Sequence, residues 1–203
     1  MMRTGVLCVA ALLAGCFSQP RVPEPALYDL GIAPAGRAVQ PVTNAEPAAV
    51  RVQVSARSWL DDTAMHYRLV YSDEMRTHAY AYARWIAPPA EFVAQRLRQR
   101  LADSGSAAAY QLEIELEEFV QVFETPTRSF GRVVAHVRVR TSDGRADEAT
   151  FAEQVAAQTP DAPGGVRALA AATATLVARV VDWISARSDR NSLTKLRLVR
   201  PAY

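Results

Sequence analysis

The sequence predicts an α+β fold: a mostly antiparallel sheet with two main helices packed on one face. Three observations carry that reading. Apolar and polar residues alternate at period 2 in several separate stretches, from Val50 to Val54 first and most fully from Tyr110 to Glu124. The period changes to that of a helix after Pro88-Pro89 and again after Thr159 to Gly165. The resulting order is strands, helix, strands, helix, which keeps strand meanders apart from helices and so favours α+β over a parallel α/β sheet.

Taken in order, the chain opens with Arg3, an apolar run from Val6 to Leu13, and then Leu13-Ala14-Gly15-Cys16. A short positive region, an apolar core and small residues before a cut are the layout of a secretory signal, too short to span a bilayer permanently. Small side chains at Ala14 and Gly15 let a signal peptidase grip the extended backbone, and the cysteine directly after them makes a lipobox. The expected product has lost residues 1–15 and carries an N-acyl diacylglyceryl group on Cys16, with no other cofactor. One acyl chain holds a protein only marginally, since each buried methylene contributes roughly 0.8 kcal/mol, whereas two or three hold it durably. In a Gram-negative cell an aspartate after the cysteine retains a lipoprotein on the inner membrane. Phe17 stands there instead, so the expected address is the outer membrane, lipid-anchored at its periplasmic face.

Removing 15 residues from 203 leaves 188, enough for one domain and a tether or at most two small domains. The two cysteines are Cys8, lost with the signal, and Cys16, which is acylated, so no disulfide is expected even in an oxidising compartment. Net charge is +2, or +1 once Arg3 is gone, with no clustered basic excess, which argues against nucleic acid as a partner. After the signal, no apolar run reads as a spanning helix. The divisions that follow are signal 1–15, lipidated N-terminus with short strand and linker 16–47, a folded domain 48–187, and a C-terminal tail 188–203.

Phe17 to Pro25 is Pro-rich and polar, an extended leash. Ala26 to Gly31 is a short strand ended by Gly31, and Ala33 to Pro47 is an aperiodic linker, unusually long for a loop inside a compact domain. Val50, Val52 and Val54 mark the next strand. Asp61-Asp62 turns the chain, and Met65, Tyr67, Leu69 and Tyr71 mark a strand expected to pair with the preceding one. Ser72-Asp73-Glu74 is a turn into a further strand from Thr77 to Ala83, running on to Trp85. A helix follows with Pro in its first turn: Val93, Ala94, Leu97 and Leu101 share one face, and Arg96, Arg98 and Arg100 the other, until Ser104-Gly105-Ser106.

From Tyr110 to Glu124, Leu112, Ile114, Leu116, Val120 and Val122 share a face opposite Glu113, Glu115 and Glu117. Phe119 and Phe123 fall on the polar side, which predicts either a bulge near Glu117-Glu118 or a covered outer face. Val133 to Thr141 and Ala146 to Val155 form a hairpin whose Asp143-Gly144 supplies the positive φ its turn needs. Val166, Leu169, Thr173, Leu176, Val180 and Ile184 then repeat at helical spacing over about 20 residues. Beyond Arg187, residues 193–199 read as a last strand or a loosely docked tail.

With its lipobox, Leu27-Tyr28-Asp29-Leu30, Val50 to Trp59-Leu60-Asp61, the Tyr67 to Tyr71 strand, Tyr82-Ala83-Arg84-Trp85 before Pro88, Glu118-Phe119 and the closing alanine-rich helix, the chain resembles the ABC-type transport auxiliary lipoprotein component family, the PqiC-like proteins. The linker from Ala33 to Pro47 and the tail after Arg187 carry no motif of that family. The resemblance implies a lipoprotein that docks a bridging protein of mammalian-cell-entry (MCE) domains at the outer membrane. The inner-membrane part of such a system is an ABC or paraquat-inducible-type permease, and its cargo is lipid. The resemblance also implies that copies assemble into a homo-oligomer.

No catalytic constellation stands out. His66, His78 and His136 sit singly on strands without a second ligand at metal spacing, and Asp61-Asp62 reads as a solvated turn. There is no Gly-x-Ser-x-Gly elbow, phosphate loop or dinucleotide fingerprint. The chain is therefore expected not to be an enzyme and not to hold a metal. Tyr80 and Tyr82, two apart on a strand, and Trp85 are candidate partner contacts, aromatics being favoured in interface hot spots. The plainer reading makes Trp85 a core plug and the tyrosines cover for a sheet edge. The Glu113-Glu115-Glu117 and Arg96-Arg98-Arg100 stripes are either solvated faces or complementary surfaces of neighbouring subunits. A rival function remains from another class: an envelope lipoprotein that activates a cell-wall enzyme or assists assembly of a secretion apparatus, which the leash would serve equally well.

Overall fold

The computed structural model describes residues 23–32, 50–104, 110–141 and 144–198, with the backbone alone for residue 104 and for residues 188–198. Its elements are β1 (Ala26–Tyr28), β2 (Arg51–Ala56), β3 (Ala64–Leu69), β4 (Asp73–Trp85), α1 (Pro89–Ser104), β5 (Tyr110–Thr125), β6 (Arg128–Thr141), β7 (Ala146–Ala156) and α2 (Ala162–Leu198). The seven strands make one sheet in the order β1-β4-β3-β5-β6-β7, with β2 joined to β5. The long ladders, β5 with β6 and β6 with β7, are antiparallel, as is β3 with β4; β1 on β4, and β2 and β3 on β5, are parallel. Both helices pack on one face, and their apolar stripes join the sheet's in a single core. The α+β class with a mostly antiparallel sheet is thus the observed one.

β2 and β3 do not pair with each other, contrary to the expectation from their adjacency. They lie end to end along the same edge of β5, β2 on residues 111–116 and β3 on residues 121–123. A 3-10 turn, Ser58–Leu60, bridges the break, and there the Arg57 N–H donates to the Leu116 carbonyl at 3.0 Å. At this level the register of β5 against β6 slips between Leu116 and Glu118. The extra residue reverses the strand's phase, so Leu112, Ile114 and Leu116 before it and Phe119 after it all enter the core. Val120 and Val122, expected beside Leu116, are buried outside that cluster, paired in register with Arg132 and Phe130. Phe123 is buried too, its ring edge-on to Tyr67 at 5.9 Å.

In α1, Val93 and Leu97 are buried completely, flanked by Phe92 and Leu101. Arg96, on the face expected to be polar, turns back to donate from Nη2 to the carbonyls of Leu30 (2.8 Å) and Gly31 (2.6 Å). It thereby fixes the chain after β1, where Gly31 takes φ +71°, a left-handed conformation that glycine adopts without strain. α2 begins at a cap: the Asp161 carboxylate accepts the Gly164 N–H at 2.8 Å and the Thr159 hydroxyl at 2.6 Å. Leu169, Ala172, Leu176, Val180 and Ile184 form its buried stripe. The helix comes so close to β6 that a Cβ on Gly131 would lie 2.6 Å from the Leu169 nitrogen.

α2 runs to Leu198, well past the end expected near Ile184, so the segment from 188 to 198 continues the helix instead of forming a strand or loose tail. By length and composition its Ala162–Arg187 portion could cross a membrane, contrary to the expectation of no such run. Its apolar stripe is instead spent on the sheet, as in the core helix of a globular domain.

Candidate interaction surface

The three aromatic residues singled out on β4 have separate fates. Trp85 is 2% exposed, its ring edge-on to Phe92 at 5.8 Å and to Phe119 at 5.4 Å. It plugs the core and supports the surface from beneath, without touching anything outside. Tyr80 is half-buried, and its hydroxyl donates to Gln121 Oε1 at 2.9 Å. Tyr82 is 57% exposed. β3 and β4 slip register between Ala64 and His66, which sets β4 out of phase between Tyr80 and the buried Ala83. Strict alternation would have kept Tyr80 and Tyr82 alike; this irregularity separates them.

Tyr80 belongs to a buried polar network. Gln121 has no exposed surface; its Nε2 donates to Ser129 Oγ at 2.9 Å and to the Asp161 carbonyl at 3.2 Å, tying β5 to β6 and to the start of α2. Burial pushes the pKa of the Tyr80 hydroxyl far up, helped by Tyr67 and Asp161, so it stays a neutral donor. Gly165 gives this network room, since a Cβ there would fall on the Gln121 amide. The arrangement is a joint between elements, and it gives Tyr80 a structural task that its sequence position did not reveal.

Tyr82, by contrast, begins an exposed apolar strip. Tyr82, Arg84 and Ile86 alternate with the inward Ala83 and Trp85, and Leu27 of β1 is the register partner of Arg84. Leu27, Tyr82 and Ile86 are all among the exposed large apolar side chains. Ile86 also borders two grooves on α1. The larger, about 770 Å³, is lined by Val54 to Ala56 of β2 and by Phe92, Ala94 and Arg98 of α1. The smaller, about 430 Å³, lies between Ile32, Ile86, Phe92 and Arg96. Leu27 and Ile86 are not among the contacts expected from the sequence, because a lone apolar residue on a short strand or after one carries no periodic signal.

The acidic stripe is answered within the subunit. Arg57 sits 3.2 Å from Glu115 and 3.3 Å from Glu117, and Arg138 reaches Glu113 at 3.8 Å and Glu148 at 3.3 Å. Arg132 pairs with Glu118 at 2.5 Å. Cross-strand pairing, which needs the fold, supplied what the one-dimensional stripe concealed. Each histidine has its own surroundings: His66 against Trp59, His78 stacked on Tyr67 at 5.1 Å, and His136 near Thr150. Among the described residues no group of three or more His, Cys, Asp or Glu side chains is placed to hold a metal ion. Cys16 lies outside the described residues.

No family model matches the chain, and no curated protein matches it by sequence. Solved structures share its fold. A protein of Xanthomonas campestris described under the family-model DUF330 superposes with a TM-score of 0.66 at 20% identity, covering 83% of this chain and 99% of its own. A protein described only as uncharacterised gives 0.61 at 12% identity, covering 80% and 99%. A Caulobacter crescentus protein described as a proposed lipoprotein covers 54% of this chain and 84% of its own at 20% identity, but its TM-score of 0.31 carries no weight. At these identities the likeness speaks for architecture alone: this chain adopts the fold of the Xanthomonas DUF330 protein.

Proposed function

We propose that this chain is a non-enzymatic lipoprotein of the outer membrane, facing the periplasm, that docks an intermembrane lipid-transport system there. The carrying observation is the lipobox Leu13-Ala14-Gly15-Cys16, followed by a leash that delivers the chain to β1, beside the exposed Leu27, Tyr82 and Ile86. An acylated Cys16 keeps that strip within reach of the membrane and open to the periplasm. An exposed tyrosine beside large aliphatic side chains, one of which, Ile86, borders both grooves on α1, is the material of an interface anchor. The sequence resemblance to the PqiC-like auxiliary lipoproteins supplies the partner: a bridging protein with MCE domains, served at the inner membrane by a permease. A homo-oligomer of this chain is part of the same proposal.

The test mixes a soluble form beginning at Ser18 with the bridging protein. Tyr82→Ala and Ile86→Ser are each expected to weaken the complex about tenfold, the equivalent of about 1.4 kcal/mol, without unfolding the domain. Tyr80→Phe should leave affinity unchanged, because that hydroxyl is engaged with Gln121. No complex at any ionic strength, or full affinity in Tyr82→Ala, would count against the proposal.

A further inference from the structure

We infer that the β3–β4 hairpin tip is a second membrane contact, seating Val70, Tyr71 and Met75 in the interfacial layer of the same bilayer that holds the acylated N-terminus. This rests on the lipid-anchor reading above. Val70 is 38% exposed, Tyr71 47% and Met75 84%. Three exposed large apolar side chains thus fall within six positions at the end of a hairpin, where the core gains nothing from them. Tyrosine with aliphatic neighbours is the composition that settles at a membrane–water boundary.

The path of the chain brings this tip to the lipid. β1 runs parallel to β4 with Ala26 opposite Ala83 and Tyr28 opposite Trp85. Followed backwards from Ala26, the chain therefore points along β4 towards its start, which is the hairpin tip. Leu27 is level with Arg84 and so with Ala64 of β3. From Ala64 to Tyr71 is seven residues, about 23 Å at strand spacing. From Cys16 to Leu27 is eleven residues, about 34 Å in the extended form that Pro20, Pro23 and Pro25 favour. A leash of that length is sufficient to span the distance to the plane of the tip.

The charges around the tip permit the approach. Arg68, Arg76 and Arg128 balance Asp73, Glu74 and Glu124, so an anionic leaflet neither repels nor strongly attracts it. Arg128 is paired with Glu124 at 2.8 Å, and Arg68 Nε donates to the Thr77 hydroxyl at 3.2 Å. A balanced polar collar surrounds an apolar point. The opposite end of the sheet, where β6 turns into β7 at Gly144, then faces away from the bilayer.

The experiment uses the full-length acylated protein carrying Met75→Cys, with Arg140→Cys as the control near that opposite end. After processing, Cys8 is gone and Cys16 is acylated, so the introduced thiol is the sole target for a polarity-sensitive fluorophore. The proteins are reconstituted into phosphatidylethanolamine–phosphatidylglycerol vesicles with and without brominated acyl chains, and mass spectrometry reports the state of Cys16. Emission from position 75 is expected to fall about twofold with brominated lipid while position 140 stays unchanged, the tip entering only the headgroup–acyl boundary. Acylated protein with no quenching at position 75 overturns the hairpin contact and leaves the anchor standing. Quenching at position 75 only after the bridging protein is added, or only at concentrations where copies associate, assigns the tip to a protein partner and also overturns it. Bare Cys16 with no vesicle binding overturns the anchor and the hairpin contact together.

Discussion

At the scale of single residues, stability concentrates where α2 meets the sheet. The Thr159 hydroxyl and the Gly164 N–H hold the Asp161 carboxyl below the usual carboxylate range, with Arg167 assisting. A carboxyl whose pKa is lower folded than unfolded contributes stability above the unfolded value, about 3.9, and loses it as the pH falls through the folded one. Asp161→Ala should cost about 1 kcal/mol at neutral pH by removing the cap, and the difference in thermal midpoint from the parent should shrink in an acid titration below about pH 4. Gln121→Leu keeps the volume but strips partners from Tyr80, Ser129 and the Asp161 carbonyl; urea unfolding should show a loss of about 2 kcal/mol or more. Gly131→Ala pushes a methyl against helix backbone, and about 1–3 kcal/mol of destabilisation is expected in the same assay. None of these three roles is visible in the sequence, since each depends on which element lies across the sheet.

At the scale of elements, what was legible follows from period and punctuation. The Pro88-Pro89 change of period marks α1 and the alternation in Tyr110 to Glu124 marks β5, while the two misplaced phenylalanines allow either a bulge or a covered outer face, of which the register slip between Leu116 and Glu118 shows the bulge. What was illegible is pairing. Alternation in Val50 to Val54 and in Met65 to Leu69 is indifferent to which neighbour completes the ladder, so two halves of one broken strand on β5 looked like a hairpin. The end of α2 was hidden for a related reason: the polar run from Arg187 to Ser192 interrupts the apolar repeat that announces the helix. Tyr80 and Tyr82 illustrate the cost at the candidate surface. Two residues of one type, two positions apart, were separated into joint and surface by a register slip. Consequently Tyr80→Ala should lower stability and Tyr82→Ala should lower binding, a division that paired unfolding and affinity measurements would expose.

At the scale of the whole molecule, the strength of the sheet is unevenly distributed. β5 meets β6 from Tyr110 to Thr125 and β6 meets β7 from Phe130 to Ala156, whereas β3 meets β5 over Tyr67 to Leu69 alone. β1, β3 and β4 thus share a ladder only three residues long with the rest of the sheet, reinforced by the Val70 N–H to Phe123 carbonyl bond, the Tyr80–Gln121 hydrogen bond and Met65 and Trp85 in the core. Cooperative units of unequal stability open separately when few ladder bonds join them. Native-state hydrogen exchange should find the amides of β3 and β4 releasing their protons before those of β5 and β6. The half that yields first is the half bearing both Tyr82 and the hairpin, so strain transmitted through the tether would be absorbed at that stitch while the long antiparallel ladders stayed closed.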